Sequence, residues 1–221
     1  MTTLKLQRIG RILLAATAGL EFLFYVPGDK MHVGLTKVWV LEAGLLALLG
    51  LQWWFAEAWM PMVQSAWRRY RLALLLLFLF LGVSLISVIL SPNITVGLFG
   101  RPFRLQGWIT LAFYVLFVLE IFWNIPALED AKEFVWGIVG AGAMVSIMGF
   151  LQWFWPTIFG LTSADIGVES TLGHPSFLGS AMIFWIGWVV FVRLVGWWPT
   201  SLWGRIGFGV VLGLEIVVLF L

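Results

Sequence analysis

No cysteine occurs anywhere in the chain, which excludes disulfides and thiolate metal sites. Histidine is nearly absent too: His32 and His174 are the two copies. Neither falls in a cluster of ligands on neighbouring turns, so no metal and no cofactor is expected. Charged residues make up 11% of the chain against 62% hydrophobic ones, and the mean hydropathy is +1.01. That balance excludes an ordinary soluble domain, and with it a nucleic-acid partner. The period-2 alternation of a membrane β-barrel is missing as well.

What is present is a series of long apolar runs, at 9–27, 38–58, 72–91, 107–124, 134–155, 177–195 and 206–221. Each approaches the roughly 20 helical residues that cross a hydrocarbon core of about 30 Å. The opening "MTTLKLQRIGRILLAATAGLEFLFYVPG" has basic flanks like a leader, but Glu21 interrupts its apolar run and no small-x-small cleavage site follows. It reads as a retained first helix. The predicted fold is therefore all-α: one polytopic transmembrane helix bundle of about seven spans over 1–221. The last run, "GLEIVVLFL", meets no polar tail, so the chain is expected to be the N-terminal part of a longer fold.

Lysine and arginine set the orientation. With a cytoplasmic N-terminus the inner side receives nine cations, Lys5, Arg8, Arg11, Arg68, Arg69, Arg71, Lys132, Arg193 and Arg205, and the outer side four, Lys30, Lys37, Arg101 and Arg104. The run "WRRYR" before the third span is the strongest anchor. Tryptophans collect at span ends, as their amphipathic rings favour, with Trp185 and Trp188 the exceptions inside a span. Two external loops result, at 91–107 and 156–176. Glu57 and the "EDAKE" run at 129–133 read as solvated inner loops, and "NIT" at 93–95 fits the glycosylation pattern.

Arg101 and Arg104 thus stand on the side where positive charge is generally avoided. Guanidinium groups offer planar, permanently charged forks that match phosphate oxygens two at a time. Gly97, Gly100 and Gly107 allow close backbone approach around them, so the pair is suited to a lipid diphosphate. The alternative is that both side chains simply snorkel to headgroups. In the second loop, "STLGHPSFLGSA" places His174 and Ser176 before the sixth span. Ser176 is expected to cap that helix, whose N–H groups suit an anion, and His174 to donate to a phosphate or bond the loop backbone. Four acids lie within spans: Glu21, Glu42, Glu120 and Glu215. They are expected to face the protein interior or a wet cavity, with Glu21 and Glu42 reaching one cavity beside Arg101 or Arg104, or else serving structural charge pairing.

Three stretches, "SPNITVGLFGRPFRLQGWIT", "SIMGFLQWFW" and "STLGHPSFLGSAMIFW", together resemble the O-antigen ligase and polymerase family of bacterial polytopic membrane proteins over residues 80–190. The matching positions are Arg104 and Gly107, Gln152, and Gly173 through Phe177, with His174 and Ser176 standing where asparagines are usual. The resemblance implies the bacterial inner membrane and transfer of a glycan from an undecaprenyl diphosphate carrier to an acceptor glycan, lipid or protein, without a metal or nucleotide sugar. It implies diphosphate binding at Arg101, Arg104, Gly107, His174 and Ser176. Family members carry their catalytic loop in a second half, so no catalytic residue is assigned within 1–221. A transporter or flippase for a lipid or anion, lined by the intramembrane acids, and a non-catalytic membrane subunit are the alternatives.

Overall fold

The computed structural model of the chain describes residues 2–23, 33–100, 107–155 and 175–220. Every regular element among the described residues is helical: α1 (Thr3–Leu23), α2 (Val33–Trp54), α3 (Ala56–Ile89), α4 (Ile94–Phe99), α5 (Trp108–Asn124), a 3-10 turn (Glu129–Ala131), α6 (Lys132–Phe154), α7 (Pro175–Leu194) and α8 (Leu202–Leu219). Three helical stretches, Ala56–Ile89, Glu129–Phe154 and Leu202–Leu219, are long and apolar enough to cross a membrane, and Trp108–Asn124 and Leu178–Leu194 are shorter apolar helices. The protein is all-α and membrane-embedded.

Two elements depart from the sequence reading. Residues 59–71, expected to connect two spans, are helical and continuous with the third run. At 1.5 Å per residue the 34 residues of α3 extend about 51 Å, well beyond the hydrocarbon core. Its backbone breaks from helical geometry at Tyr70 (φ −117°, ψ 23°), dividing a polar N-terminal segment from an apolar one. The second departure is α4, inside the expected loop 91–107. The Asn93 side chain accepts a hydrogen bond from Val96 N at 3.1 Å, so the asparagine of "NIT" caps this helix.

The chain forms two compact units, one of Met1–Thr17 with Val38–Glu133, the other of Ala18–Lys37 with Phe134–Leu221. In the first, close helix approach depends on small residues. Gly10 of α1 lies against the Asn124 side chain, and Gly44 of α2 lies against Thr17. Bare glycine faces let helices approach where apolar surface alone gives no preference over lipid. α3 and α5 share a core of Leu74, Val115 and Leu119, flanked by Tyr70, Leu77, Leu81, Phe122 and Trp123.

In the second unit Trp185 is fully buried, seated on Gly142, where any Cβ would lie 2.6 Å from its ring. Phe22 meets that ring edge-on at 5.1 Å. The Ser146 hydroxyl donates to Gly142 O at 2.8 Å, satisfying a buried polar group within its own helix. Lys37 Nζ donates to Glu21 O and Phe22 O, both at 2.9 Å. These are last-turn carbonyls of α1, which lack helical partners and favour a cation. Lys37 is thus a C-terminal cap rather than a free cation.

Candidate functional site

The first unit holds the glycines of the expected external loop at 91–107. Past α3 the chain turns through α4, and Gly100 closes that helix with φ +81° and an N–H bond to Val96 O at 2.8 Å. A φ of this sign favours glycine. Gly107 then opens α5 in direct backbone contact: a Cβ there would sit 2.3 Å from Leu98 O, 2.4 Å from Gly100 N and 2.5 Å from Phe99 C. Gly97 packs on the Val88 side chain in the same way. The two ends of segment 101–106, Gly100 and Gly107, are therefore held together.

Beside these glycines lies an apolar pocket of about 420 Å³, lined chiefly by Ser84, Val88, Gly97, Gly107, Trp108 and Tyr114. Trp108 is fixed by its indole N–H, which lies 3.1 Å from both Leu81 O and Ser84 Oγ. The Ser84 hydroxyl itself donates to Leu81 O at 2.8 Å. The pocket has room for a hydrocarbon chain and carries few polar groups to orient a ligand.

Arg101, Arg104 and His174 lie outside the described residues. Gly107 lies at the pocket wall. Ser176 belongs to the other unit; α7 begins at Pro175, so Ser176 falls within the first turn rather than at the cap position, with proline at the first helical position that suits it. Glu21 and Glu42 fall in different units. Gln152 of α6 is buried. Of the span acids, Glu120 and Glu215 are fully buried, as expected; neither oxygen of Glu215 has a hydrogen-bond partner among the described residues.

A second polar cluster was not anticipated. Glu120 Oε2 accepts from Gln52 Nε2 at 2.6 Å and from Asn124 Nδ2 at 2.9 Å, and Asn124 Nδ2 also reaches Glu120 O at 2.9 Å. All three residues are essentially inaccessible. Arg11 Nη1, 3.4 Å from Asn124 O, bonds Asp130 Oδ1 at 2.9 Å, and its Nε bonds Glu133 Oε2 at 3.2 Å. Arg8 takes the other Glu133 oxygen at 3.2 Å. Asp130 and Glu133 are thus ion-paired to α1, which corrects the solvated-loop reading of "EDAKE". The only sequence signal was polar residues at the ends of apolar runs.

The two arginines should differ. Arg11 has a side chain 13% exposed and binds two carboxylates, whereas Arg8 is 68% exposed and binds one. Melting of purified protein is expected to show Arg11→Gln losing about 1–2 kcal/mol, while Arg8→Gln stays under about 0.5 kcal/mol, the usual range for exposed pairs.

No protein-family model matches the chain, and neither a curated protein nor a solved structure matches it.

Proposed function

We propose that the chain is a bundle of about seven spans with a cytoplasmic N-terminus, in a bacterial inner membrane, and that it binds a glycan carried on undecaprenyl diphosphate for transfer to a surface glycoconjugate. The observation that carries this reading is the apolar pocket against Gly97 and Gly107, at the base of the segment that bears Arg101 and Arg104. Chain connectivity keeps both arginines within a few residues of the tether at Gly100 and Gly107. A polyprenyl diphosphate needs that combination: an apolar slot for the chain, and guanidinium donors for the phosphates.

In the transfer reaction the sugar–phosphate bond breaks and the diphosphate leaves with added negative charge. Fixed guanidinium groups bind that charge more strongly as it develops, which lowers the barrier rather than merely holding the substrate. The arginines are assigned to substrate binding, Gly107 to the wall of the site, and His174 and Ser176 to a contributing turn. The transport reading requires intramembrane acids to line a pathway. Glu120 is instead engaged by Gln52 and Asn124.

Binding of the purified chain in detergent to an undecaprenyl diphosphate glycan tests the reading. Arg101→Ala and Arg104→Ala are each expected to cost about 1.5–3 kcal/mol, the value of a charged hydrogen bond. Equal binding by wild type and both variants, or no binding at all, would reduce the segment to a headgroup anchor.

A further inference from the structure

The N-terminal segment of α3 carries a second pocket, separate from the one at α4 and α5 and independent of glycan binding. Along residues 56–70, two stripes recur at helical spacing. Trp59, Met62, Ala66 and Tyr70 form the packing stripe. Met62 and Ala66 are buried, Trp59 meets Trp123 edge-on at 5.4 Å, and Tyr70 stacks on Phe122 at 4.7 Å. Pro61, Gln64, Ser65 and Arg68 form the other stripe, and with Arg69 they line an open pocket of about 440 Å³. Arg69 Nη1 donates to Pro126 O at 2.5 Å, which fixes its guanidinium while leaving other donors of the fork available.

Charge compensation separates this pocket from the arginines of α1. Arg8 and Arg11 are paired with Glu133 and Asp130. Among the described residues no carboxylate lies within ion-pair distance of Arg68, Arg69 or Arg71, all exposed. The nearest acid on the same helix, Glu57, stands 11 residues before Arg68, about 16 Å along the axis. Immediately past the break at Tyr70, the helix turns apolar and bare: Leu72 is 73% exposed and Leu76 and Leu79 are 57% and 62% exposed. In a membrane-embedded chain that surface is covered by acyl chains. The uncompensated arginines therefore stand where headgroups meet a lipid-facing helix.

We propose that the pocket of Pro61, Gln64, Ser65, Arg68 and Arg69 holds the phosphodiester headgroup of an anionic phospholipid, whose acyl chains lie along Leu72, Leu76 and Leu79. Arg68 pairs with the phosphate oxygens, Gln64 and Ser65 bond the headgroup oxygens, and Arg71 adds charge at the same level.

The test uses the full chain in bilayer nanodiscs containing spin-labelled phosphatidylglycerol or spin-labelled phosphatidylcholine, and reads the immobilised fraction of each. Wild type is expected to favour the anionic lipid, and Arg68→Gln to cut that preference about fivefold, the usual effect of one basic residue at a membrane surface. Arg68→Lys restores part of it. The paired substitution Gln64→Ala with Ser65→Ala also lowers the preference, which a diffuse charge effect would not do. Arg205→Gln in α8, whose side chain bonds Pro199 O, lowers it clearly less than Arg68→Gln. Should Arg68→Gln fail to fold, the wild type still answers, because its preference must fall as salt screens the contact. No discrimination by wild type, an unchanged Arg68→Gln, or an equal loss in Arg205→Gln overturns the site. Complete displacement of the labelled lipid by inorganic phosphate does so too, since the occupant would then be a free anion.

Discussion

Glu120→Ala is expected to destabilise the protein by about 3–5 kcal/mol, the combined effect of an orphaned buried donor and a partly relaxed cavity. Two effects act together. Gln52 Nε2 loses its acceptor at 2.6 Å and Asn124 Nδ2 loses one of two, and an orphaned buried donor costs about 1–3 kcal/mol. Removal of the side chain also opens a cavity between α2 and α5, whose walls relax only in part. Glu120→Gln should cost less than half as much, because a single amide oxygen can take both donors. The double variant Gln52→Leu with Glu120→Leu should be less damaging than Glu120→Leu alone, since replacing both partners by apolar groups leaves fewer unpaired amides. Thermal melting in detergent reads all four. If Glu120→Ala melts with the wild type, the cluster does not hold α2 to α5.

Where local pattern decides structure, the sequence was informative. The run at 107–124 becomes α5, Trp108–Asn124, bounded by Gly107 and by an asparagine two residues before Pro126. The run at 134–155 becomes most of α6, Lys132–Phe154. Residues 59–71 read as a connection because Gln64, Ser65, Arg68 and Arg69 make the stretch polar. Their helical stripe becomes meaningful only once Trp123 and Phe122 are known to receive it. α4 is too short to show a period, and the asparagine that caps it also fits a modification pattern. The buried cluster could not be read at all: Gln52 and Glu120 are 68 residues apart, and Arg11 and Asp130 are 119 apart. No local spacing encodes such pairs. At the candidate site, the sequence suggests that Gly107 leaves room for a ligand, but it does not show that part of the chain itself takes up that room. That part is the backbone packed around Gly107.

That packing makes Gly107→Ala the sharpest probe of the α4–α5 turn. The backbone conformation at Gly107 (φ −99°, ψ −177°) is open to any residue, so the requirement for glycine is one of space. A Cβ would meet Leu98 O, Phe99 C and Gly100 N at 2.3–2.5 Å. All three are backbone atoms and cannot swing aside, so one methyl should cost about 3 kcal/mol, the upper end of ordinary overpacking. Gly97→Ala should cost nearer 1 kcal/mol, because its Cβ meets a Val88 methyl at 2.8 Å, which the side chain can partly relieve. Gly50→Ala is the control: nothing lies within 4 Å of its Cβ, and within α2 the change should gain about 0.5–1 kcal/mol. Relieving the clash at Gly107 requires Gly100 and Gly107 to separate, and these two residues flank the stretch of sequence that carries Arg101 and Arg104. Binding of a polyprenyl diphosphate glycan should therefore fall in Gly107→Ala at least as far as in Arg104→Ala, although no phosphate-binding side chain has been touched. If binding falls only when an arginine is removed, the arginines act without the tether. If Gly107→Ala melts like Gly50→Ala, α4 does not pack on α5 as described, and the pocket loses its wall.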